Sequence, residues 1–330
     1  MIDTVRIGGI KLSGELVQID FLESDGQERL TSLLRDITTA KISIPHLHQG
    51  LDGSATQTTL CLAADDFSLL ESGIRQKTEG GWRRFLPSVG TISIFPHGYD
   101  MGLFARVSKA LANRGIPVCG MSSSVSAIVY HTDFSLLDRA VEAVLTVCEL
   151  PLHHTPHRPV VVLGGEVVET IAVYWEPKVR IYGMDIQREL TLFRLACHEI
   201  LFQSSGWEEL CRTQSKFRLL NSRIGPQDEI YCGFVVDKNT KERFLEELSR
   251  LSQTEQLAQP VALNNVEMIS FYGPHFQDRY GIADLVFSTL RENGFSLLIS
   301  GCTGTSVHLV VPGNQADSVA EFLKNIIAVP

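Results

Sequence analysis

"DMGLFARVSKALANRGIPV", residues 100–118, decides the fold because the chain contains a second copy of it. The copy is "DRYGIADLVFSTLRENGFSL", residues 278–297, which aligns Gly102 with Gly281 at a shift of 179 positions. In both stretches a glycine opens a run whose apolar residues recur with helical spacing, and "NRG" or "ENG" closes it. Glycine just past a helix is a common stop signal. Both stretches therefore predict an amphipathic helix between two glycines.

The same elements flank both predicted helices. A strand-like run precedes each, "TISIF" or "EMISFY", and two apolar runs around a small polar turn follow, before a second helical pattern. A fainter repeat covers the remaining chain, where "DGQERLTSLL" matches "DIQRELTLFR" and "IGGIKLSGELV" matches "LGGEVVETIAV". Repeats of this kind indicate repeated structural units. We predict four modules arranged as a duplicated pair, with the bounds 1–85, 86–160, 161–262 and 263–330.

The order of elements in each module predicts the fold class. Strand, helix, strand, strand, helix and a closing strand make the βαββαβ ferredoxin-like sandwich, an α+β fold. Its antiparallel sheet carries both helices on one face and leaves the other face open. Four such modules account for the whole chain.

Composition and charge exclude several classes of protein. The chain has 330 residues, 44% of them apolar, and a net charge of −9, so we expect packed cores and no nucleic-acid partner. A run of about 18 apolar residues and a signal peptide are both absent, which predicts no membrane association. The seven cysteines form no CxxC pair, and we expect buried free thiols in a reducing cytoplasm.

Residues 91–150 and 267–328 resemble ACT domains, specifically the tandem ACT pair at the regulatory end of aspartokinases. The resemblance rests on the Gly-Leu or Gly-Ile at each helix start, on "NRGI" and "ENGF", and on the following "SSSVSAIVY" and "ISGCTGTSVHLVV". The length and four-module layout are also similar to stand-alone arginine sensors built from four ACT modules. The resemblance implies an allosteric regulatory protein that binds an amino acid where two modules meet.

One departure from aspartokinases concerns their catalytic domain, which opens with a Lys-Phe-Gly-Gly-type loop. The nearest match here is "VRIGGIKLSG", residues 5–14, and no nucleotide-binding architecture follows it. Cys302 lies between glycines, but no base is implied beside it. We therefore expect no catalytic residues and a protein that is not an enzyme.

The glycines at the helix starts allow three interpretations: a phosphate loop, a site for another anion, or a simple turn. The Walker and dinucleotide patterns are absent around Gly102 and Gly281, so we expect no nucleotide cofactor. The unpaired N–H groups of a helix start also attract a carboxylate. An edge strand offers carbonyl groups to an ammonium group, and Pro117, which has no N–H to donate, suits such an edge. A turn role alone remains open for both glycines.

These considerations predict a small effector, most simply an amino acid, at the junction of modules 2 and 4, with module 4 as the stronger site. The two halves would pack about a pseudo-twofold axis. The candidate ligand-binding residues are Met101, Gly102, Leu103, Pro117, Val118, Asp278, Tyr280, Gly281, Ile282, Leu297, Thr303, Gly304 and Thr305.

Binding would change a surface that a protein partner or a second copy of the chain reads. Two alternatives remain open: a ligand-free interaction scaffold that pairs through edge strands, and an enzyme built on the ferredoxin-like sheet. His153, His154 and His157 lie close in sequence, but no carboxylate or cysteine completes a ligand set, so we expect no metal.

Overall fold

The computed structural model describes residues 4–24, 28–53, 55–159, 178–197, 215–254, 260–274, 276 and 279–328. It divides the chain into two compact units, each assembled from separate stretches of sequence. Unit 1 comprises Met1–Leu16, Ser88–Arg158 and Glu189–Asn265, and unit 2 comprises Val17–Pro87, Pro159–Arg188 and Val266–Pro330.

The described helices are α1 (Arg29–Thr39), α2 (Ala64–Lys77), α3 (Met101–Asn113), α4 (Leu137–Leu145), α5 (Lys238–Thr254), α6 (Ile282–Glu292) and α7 (Ala316–Leu323). The described strands are β1 (Val5–Arg6), β2 (Gly9–Leu12), β3 (Leu16–Ser24), β4 (His46–Asp52), β5 (Ala55–Ala63), β6 (Arg83–Phe95), β7 (Gly120–Ser123), β8 (Ile128–Asp133), β9 (Cys148–Glu149), β10 (Val179–Arg180), β11 (Gly183–Cys197), β12 (Leu219–Ile224), β13 (Ile230–Val236), β14 (Val261–Tyr272), β15 (Ile299–Thr303), β16 (Ser306–Pro312) and β17 (Ile327–Ala328).

Unit 2 joins most of predicted module 1 to module 4 through one sheet. Its strands follow the order β3-β5-β4-β15-β16-β14, so the two modules meet where β4 pairs with β15. That pairing is antiparallel and sets Ile299 opposite Gly50 and Thr303 opposite His46. The helices α1 and α6 lie side by side above this junction.

Unit 1 joins module 2 to module 3 in the same way. The order β2-β6-β8-β7-β12-β13-β11 places the junction at β7 and β12, where Asn221 lies opposite Ser122. The pairs within the units are therefore 1 with 4 and 2 with 3. The predicted effector junction of modules 2 and 4 remains a prediction. The repeat shows that modules share a pattern, but backbone hydrogen bonds between edge strands decide which modules join. The bounds of the four modules remain a prediction.

Each unit has its own core between its helices and one face of its sheet. In β3, Ile19 and Phe21 point toward the helices, while Gln18 and Asp20 point to the opposite face, because side chains alternate along a strand. Unit 1 fills its core with aromatic rings, among them Phe234. Helices and strands in this arrangement confirm the ferredoxin-like α+β class. Among the described helices, none is long and apolar enough to cross a membrane.

Candidate functional site

A cavity of about 360 Å³ opens in unit 2 where modules 1 and 4 meet. The end of β3, the first turn of α1, the end of β4 and the start of β5 form one side. The C-terminal half of α6 and the segment leading to β15 form the other. Its lining residues are Glu23, Ser24, Leu30, Thr31, Gln49, Leu51, Gly53, Thr56, Phe287, Arg291, Phe295, Ser296 and Leu297.

Glu23 provides the negative charge of this cavity. It continues the inward-facing positions of β3 after Ile19 and Phe21, and alternation therefore buries its side chain, which is 3% exposed. Its Oε1 accepts a hydrogen bond of 2.6 Å from the backbone N–H of Arg29, the first residue of α1. A carboxylate is favoured there because a helix begins with unpaired N–H groups and a partial positive charge.

Arg291 provides the positive charge and comes from the other module. It lies in the last turn of α6, where the helix dipole favours a cation. Its Nη1 lies 3.1 Å from Oε1 of Glu23, and its side chain is 35% exposed. One ion pair thus joins the two modules across the cavity, with one partner buried and the other partly hydrated.

The remaining walls combine polar and apolar groups. Gln49 donates from Nε2 to Oγ of Thr58 at 3.1 Å and accepts at Oε1 from the Ser300 hydroxyl at 3.2 Å, which fixes its amide. Leu30, Leu51, Phe287, Phe295 and Leu297 supply the apolar surface. A concave space in which a few fixed polar groups converge beside apolar side chains is typical of small-molecule sites.

Leu297 is the residue of the predicted set that lines this cavity. Gly281 lies at the opposite end of α6, whose 11 residues span about 16 Å, so one amino acid cannot contact both. Gly281 is the N-cap of α6 with a φ of +82°, and none of the described side chains caps that helix. Beside it, Ile282 is buried and Tyr280 is half-buried.

The predicted site around Gly102 already has protein partners. The N–H of Gly102 donates to Oδ1 of Asp100 at 2.8 Å, and the N–H of Met101 donates to the Ser215 carbonyl at 3.0 Å. Phe217 donates its N–H to the Tyr99 carbonyl at 3.0 Å and extends this contact between modules 2 and 3. Residues 215–218 lead into β12 in unit 1, as residues 295–298 lead into β15 in unit 2. In unit 1 this segment is therefore hydrogen-bonded to the start of α3.

The other described residues of the predicted set do not line the cavity of unit 2. Leu103 is buried in the core of unit 1, and Val118 is partly buried against it. The Pro117 carbonyl accepts from the Thr132 hydroxyl at 2.6 Å. Thr303 and Thr305 share a hydroxyl contact of 3.1 Å in the turn between β15 and β16, and the N–H of Gly304 donates to the Pro45 carbonyl. Asp278 lies outside the described residues.

Two sequence signals could have indicated the cavity. In "LVQIDFLES" the inward positions are apolar until Glu23, so a charge falls where alternation predicts the core. In α6, Arg291 follows Phe287 by four residues and extends the buried row of that helix. A charge on an inward-facing position is informative because it needs a buried partner or a ligand.

Cys302 does not behave as a nucleophile. It is buried on the helix-facing side of β15, and burial raises the pKa of its thiol to about 12. The reactive thiolate is therefore not populated near neutral pH.

We predict that Gly281→Ala destabilises the protein more than Gly115→Ala. Both glycines have positive φ values, +82° and +63°, which strain any side chain. A Cβ at Gly281 would in addition lie 3.1 Å from Cγ2 of Thr38 in α1, whereas a Cβ at Gly115 meets open space. Urea unfolding should give losses of about 1 kcal/mol for Gly115→Ala and 2–3 kcal/mol for Gly281→Ala.

Thr38→Ser tests the cause of this difference, because it removes Cγ2 and keeps the hydroxyl. In that background Gly281→Ala and Gly115→Ala should lower the free energy of unfolding by similar amounts. Equal losses in the wild-type background would contradict a close contact between α1 and the start of α6. Loss of effector binding in a Gly281 variant would by itself report this packing rather than a ligand contact.

Comparison with known proteins gave matches to solved structures alone. No family model and no curated protein match the chain. An aspartate kinase from Synechocystis superimposes with a TM-score of 0.76 at 15% identity, over 98% of this chain and 57% of that one. The chain shares the fold of that aspartate kinase. The resemblance to aspartokinases is thus confirmed at the level of the fold.

Shorter matches include the regulatory subunit of aspartate kinase from Thermus thermophilus in its ligand-free form. That match has 20% identity and a TM-score of 0.37, over 43% of this chain and 99% of that one. A putative C-terminal regulatory domain of aspartate kinase from Porphyromonas gingivalis w83 matches at 14% identity and a TM-score of 0.33, over 42% of this chain and 95% of that one.

The expectation that this protein is not an enzyme is wrong. The structure that matches almost the whole chain belongs to an aspartate kinase, and that kinase is an enzyme. The expectation rested on the missing kinase-type opening loop among these 330 residues. The chain spans 57% of the length of that kinase.

Proposed function

We propose that the chain is an effector-binding regulatory unit of the aspartate-kinase type, and that its effector is a free amino acid held in the cavity of unit 2. The observation that carries this proposal is the cavity itself, in which Glu23 of one module and Arg291 of the next face the same space. The fold shared with an aspartate kinase over 98% of this chain supports the aspartate-kinase type.

The proposal moves the effector away from the predicted junction of modules 2 and 4. At Gly102 the helix-start N–H group is bonded to Asp100, so an effector carboxylate would have to displace that side chain. At Leu297 the wall of a cavity is already formed. The sites predicted around Gly102 and Gly281 remain predictions that compete with this one.

The regulatory effect follows from the position of the cavity between two helices. The side chains of Leu30 and Thr31 come from α1, and those of Phe287 and Arg291 come from α6. A ligand that binds one spacing of these helices more tightly than another shifts the population toward that spacing. The changed surface of unit 2 would then act on a protein partner, on a second copy of the chain or on an associated catalytic activity.

A thermal-shift and calorimetric screen of the twenty amino acids tests this proposal. We expect at least one to bind, and at 100 times its Kd it should raise the free energy of unfolding by about 2.7 kcal/mol. Ser296→Phe should abolish the response, because Ser296 is exposed at the mouth of the cavity and a ring would fill it.

Lys216→Phe is the matched control, since Lys216 is exposed at the corresponding position of unit 1. It should leave the response intact. A flat response to all twenty amino acids would contradict the proposal and favour the ligand-free scaffold. A response lost in Lys216→Phe and kept in Ser296→Phe would move the site to unit 1.

A further inference from the structure

The ion pair in the cavity is asymmetric in its hydration. Glu23 is 3% exposed and Arg291 is 35% exposed. The contact joins Nη1 to Oε1 at 3.1 Å, and the same Oε1 accepts from the Arg29 N–H. Removing a cation from a buried carboxylate leaves an uncompensated charge, which is strongly unfavourable, whereas a partly exposed guanidinium can be hydrated by water.

This asymmetry determines which ligands can enter between the two charges. A neutral ligand that separated them would leave the carboxylate of Glu23 buried without a cation. A ligand with only a cationic group would satisfy Glu23 and leave Arg291 to water. A zwitterion would replace both partners, because its cation can take the place of Arg291 and its anion the place of Glu23.

A second ion pair, between α1 and α6, lacks these properties. Arg35 of α1 and Glu292 of α6 lie 3.4 Å apart, and their side chains are 64% and 62% exposed. Neither residue lines the cavity. An exposed pair of this kind contributes little and imposes no requirement on a ligand, which makes it a suitable control.

We infer that Glu23 and Arg291 form an exchangeable charge pair, which a zwitterionic effector opens by placing its ammonium group on Glu23 and its carboxylate on Arg291. This inference rests on the proposed function and adds the residues that select the effector and the charged group that each of them binds. The ammonium group contributes more to selection than the carboxylate, since the carboxylate of Glu23 is the buried partner.

The test compares ligand forms that differ in one charge. Because leucine and phenylalanine side chains line the cavity, the first probes are L-leucine, N-acetyl-L-leucine and L-leucinamide, measured by calorimetry on the full chain. If another amino acid gives a stronger response, its free, N-acetyl and amide forms are measured next. Relative to the free amino acid, affinity should fall about 100-fold for the N-acetyl form. For the amide, which keeps the ammonium group, it should fall about 10-fold.

Glu23→Gln should remove most of the discrimination against the N-acetyl form, because the neutral amide needs no cation. The preference for the free amino acid over its N-acetyl form should fall from about 100-fold to below about 10-fold. Glu292→Gln, on the neighbouring residue of α6, should keep the wild-type ratios. Arg291→Gln is a second variant on the opposite charge and should reduce the discrimination against the amide.

Two results would overturn the inference without affecting the proposed function. One is an amino acid that binds with unchanged ratios in both Glu23→Gln and Arg291→Gln. The other is an N-acetyl form that binds the wild-type protein as tightly as the free amino acid. The absence of a response to every amino acid would instead contradict the proposed function, and this inference with it.

Discussion

Phe234→Ala is expected to lower the free energy of unfolding by about 3–5 kcal/mol, the range for truncating a buried aromatic ring. Phe234 lies on β13 and is fully buried in the core of unit 1. Its ring centroid lies 5.9 Å from that of Phe104 in α3 and 5.3 Å from that of Phe244 in α5. The ring therefore joins a helix from each of the two modules of unit 1, and its loss leaves a cavity that neither helix can fill.

Urea unfolding monitored by circular dichroism measures this loss. The matched control is Phe95→Ala, also in unit 1, because Phe95 is 36% exposed and should lose roughly 1–2 kcal/mol. Equal losses for the two variants would contradict the packing described for unit 1. Below the unfolding transition, Phe234→Ala should bind the effector as the wild type does, because the proposed cavity belongs to unit 2.

The helices of the repeat could be predicted from the sequence because nearby residues determine where they end. The pattern between Gly102 and Gly115 predicted a helix, and α3 runs from Met101 to Asn113. Gly115 has a φ of +63°, and its N–H donates to the Ala112 carbonyl, as in a Schellman motif. Glycine is the residue that adopts this conformation without strain, so the stop is encoded locally.

The pairing of the modules could not be predicted in this way. Four similar units each offer an edge strand, and the sequence pattern of β4 does not distinguish β15 from β7 as its partner. The site depends on that pairing, since Glu23 and Arg291 are separated by 268 positions and lie in different modules. The junction of β4 with β15 brings their two modules together.

Asp20 should make the stability of the protein depend on pH. Its carboxyl group is fully buried on the face of β3 that carries no helix. It accepts from the Thr59 hydroxyl at 2.6 Å and from Nε2 of Gln18 at 3.2 and 3.0 Å. Burial raises the pKa of this carboxyl from 3.8 to about 6, against the lowering effects of these hydrogen bonds and of the charge of Arg84.

The sign of the effect follows from the raised pKa. Between about pH 4 and 6 the folded state binds this proton more tightly than the unfolded state, so stability falls as the pH rises through that range and then levels off. Relative to Asp20→Asn, which does not titrate, the wild type should lose about 2 kcal/mol between pH 4.5 and 7.5. Urea unfolding of both proteins at four pH values measures this difference.

Thr59→Val identifies the hydrogen bond that limits the shift. Removing the hydroxyl takes away a donor that favours the charged carboxylate, so the pKa of Asp20 should rise further and the loss of stability should extend above pH 6. A difference between wild type and Asp20→Asn that stays constant from pH 4.5 to 7.5 would contradict the raised pKa. A pH profile of Thr59→Val identical to that of the wild type would instead show that Thr59 does not stabilise the ionised carboxylate.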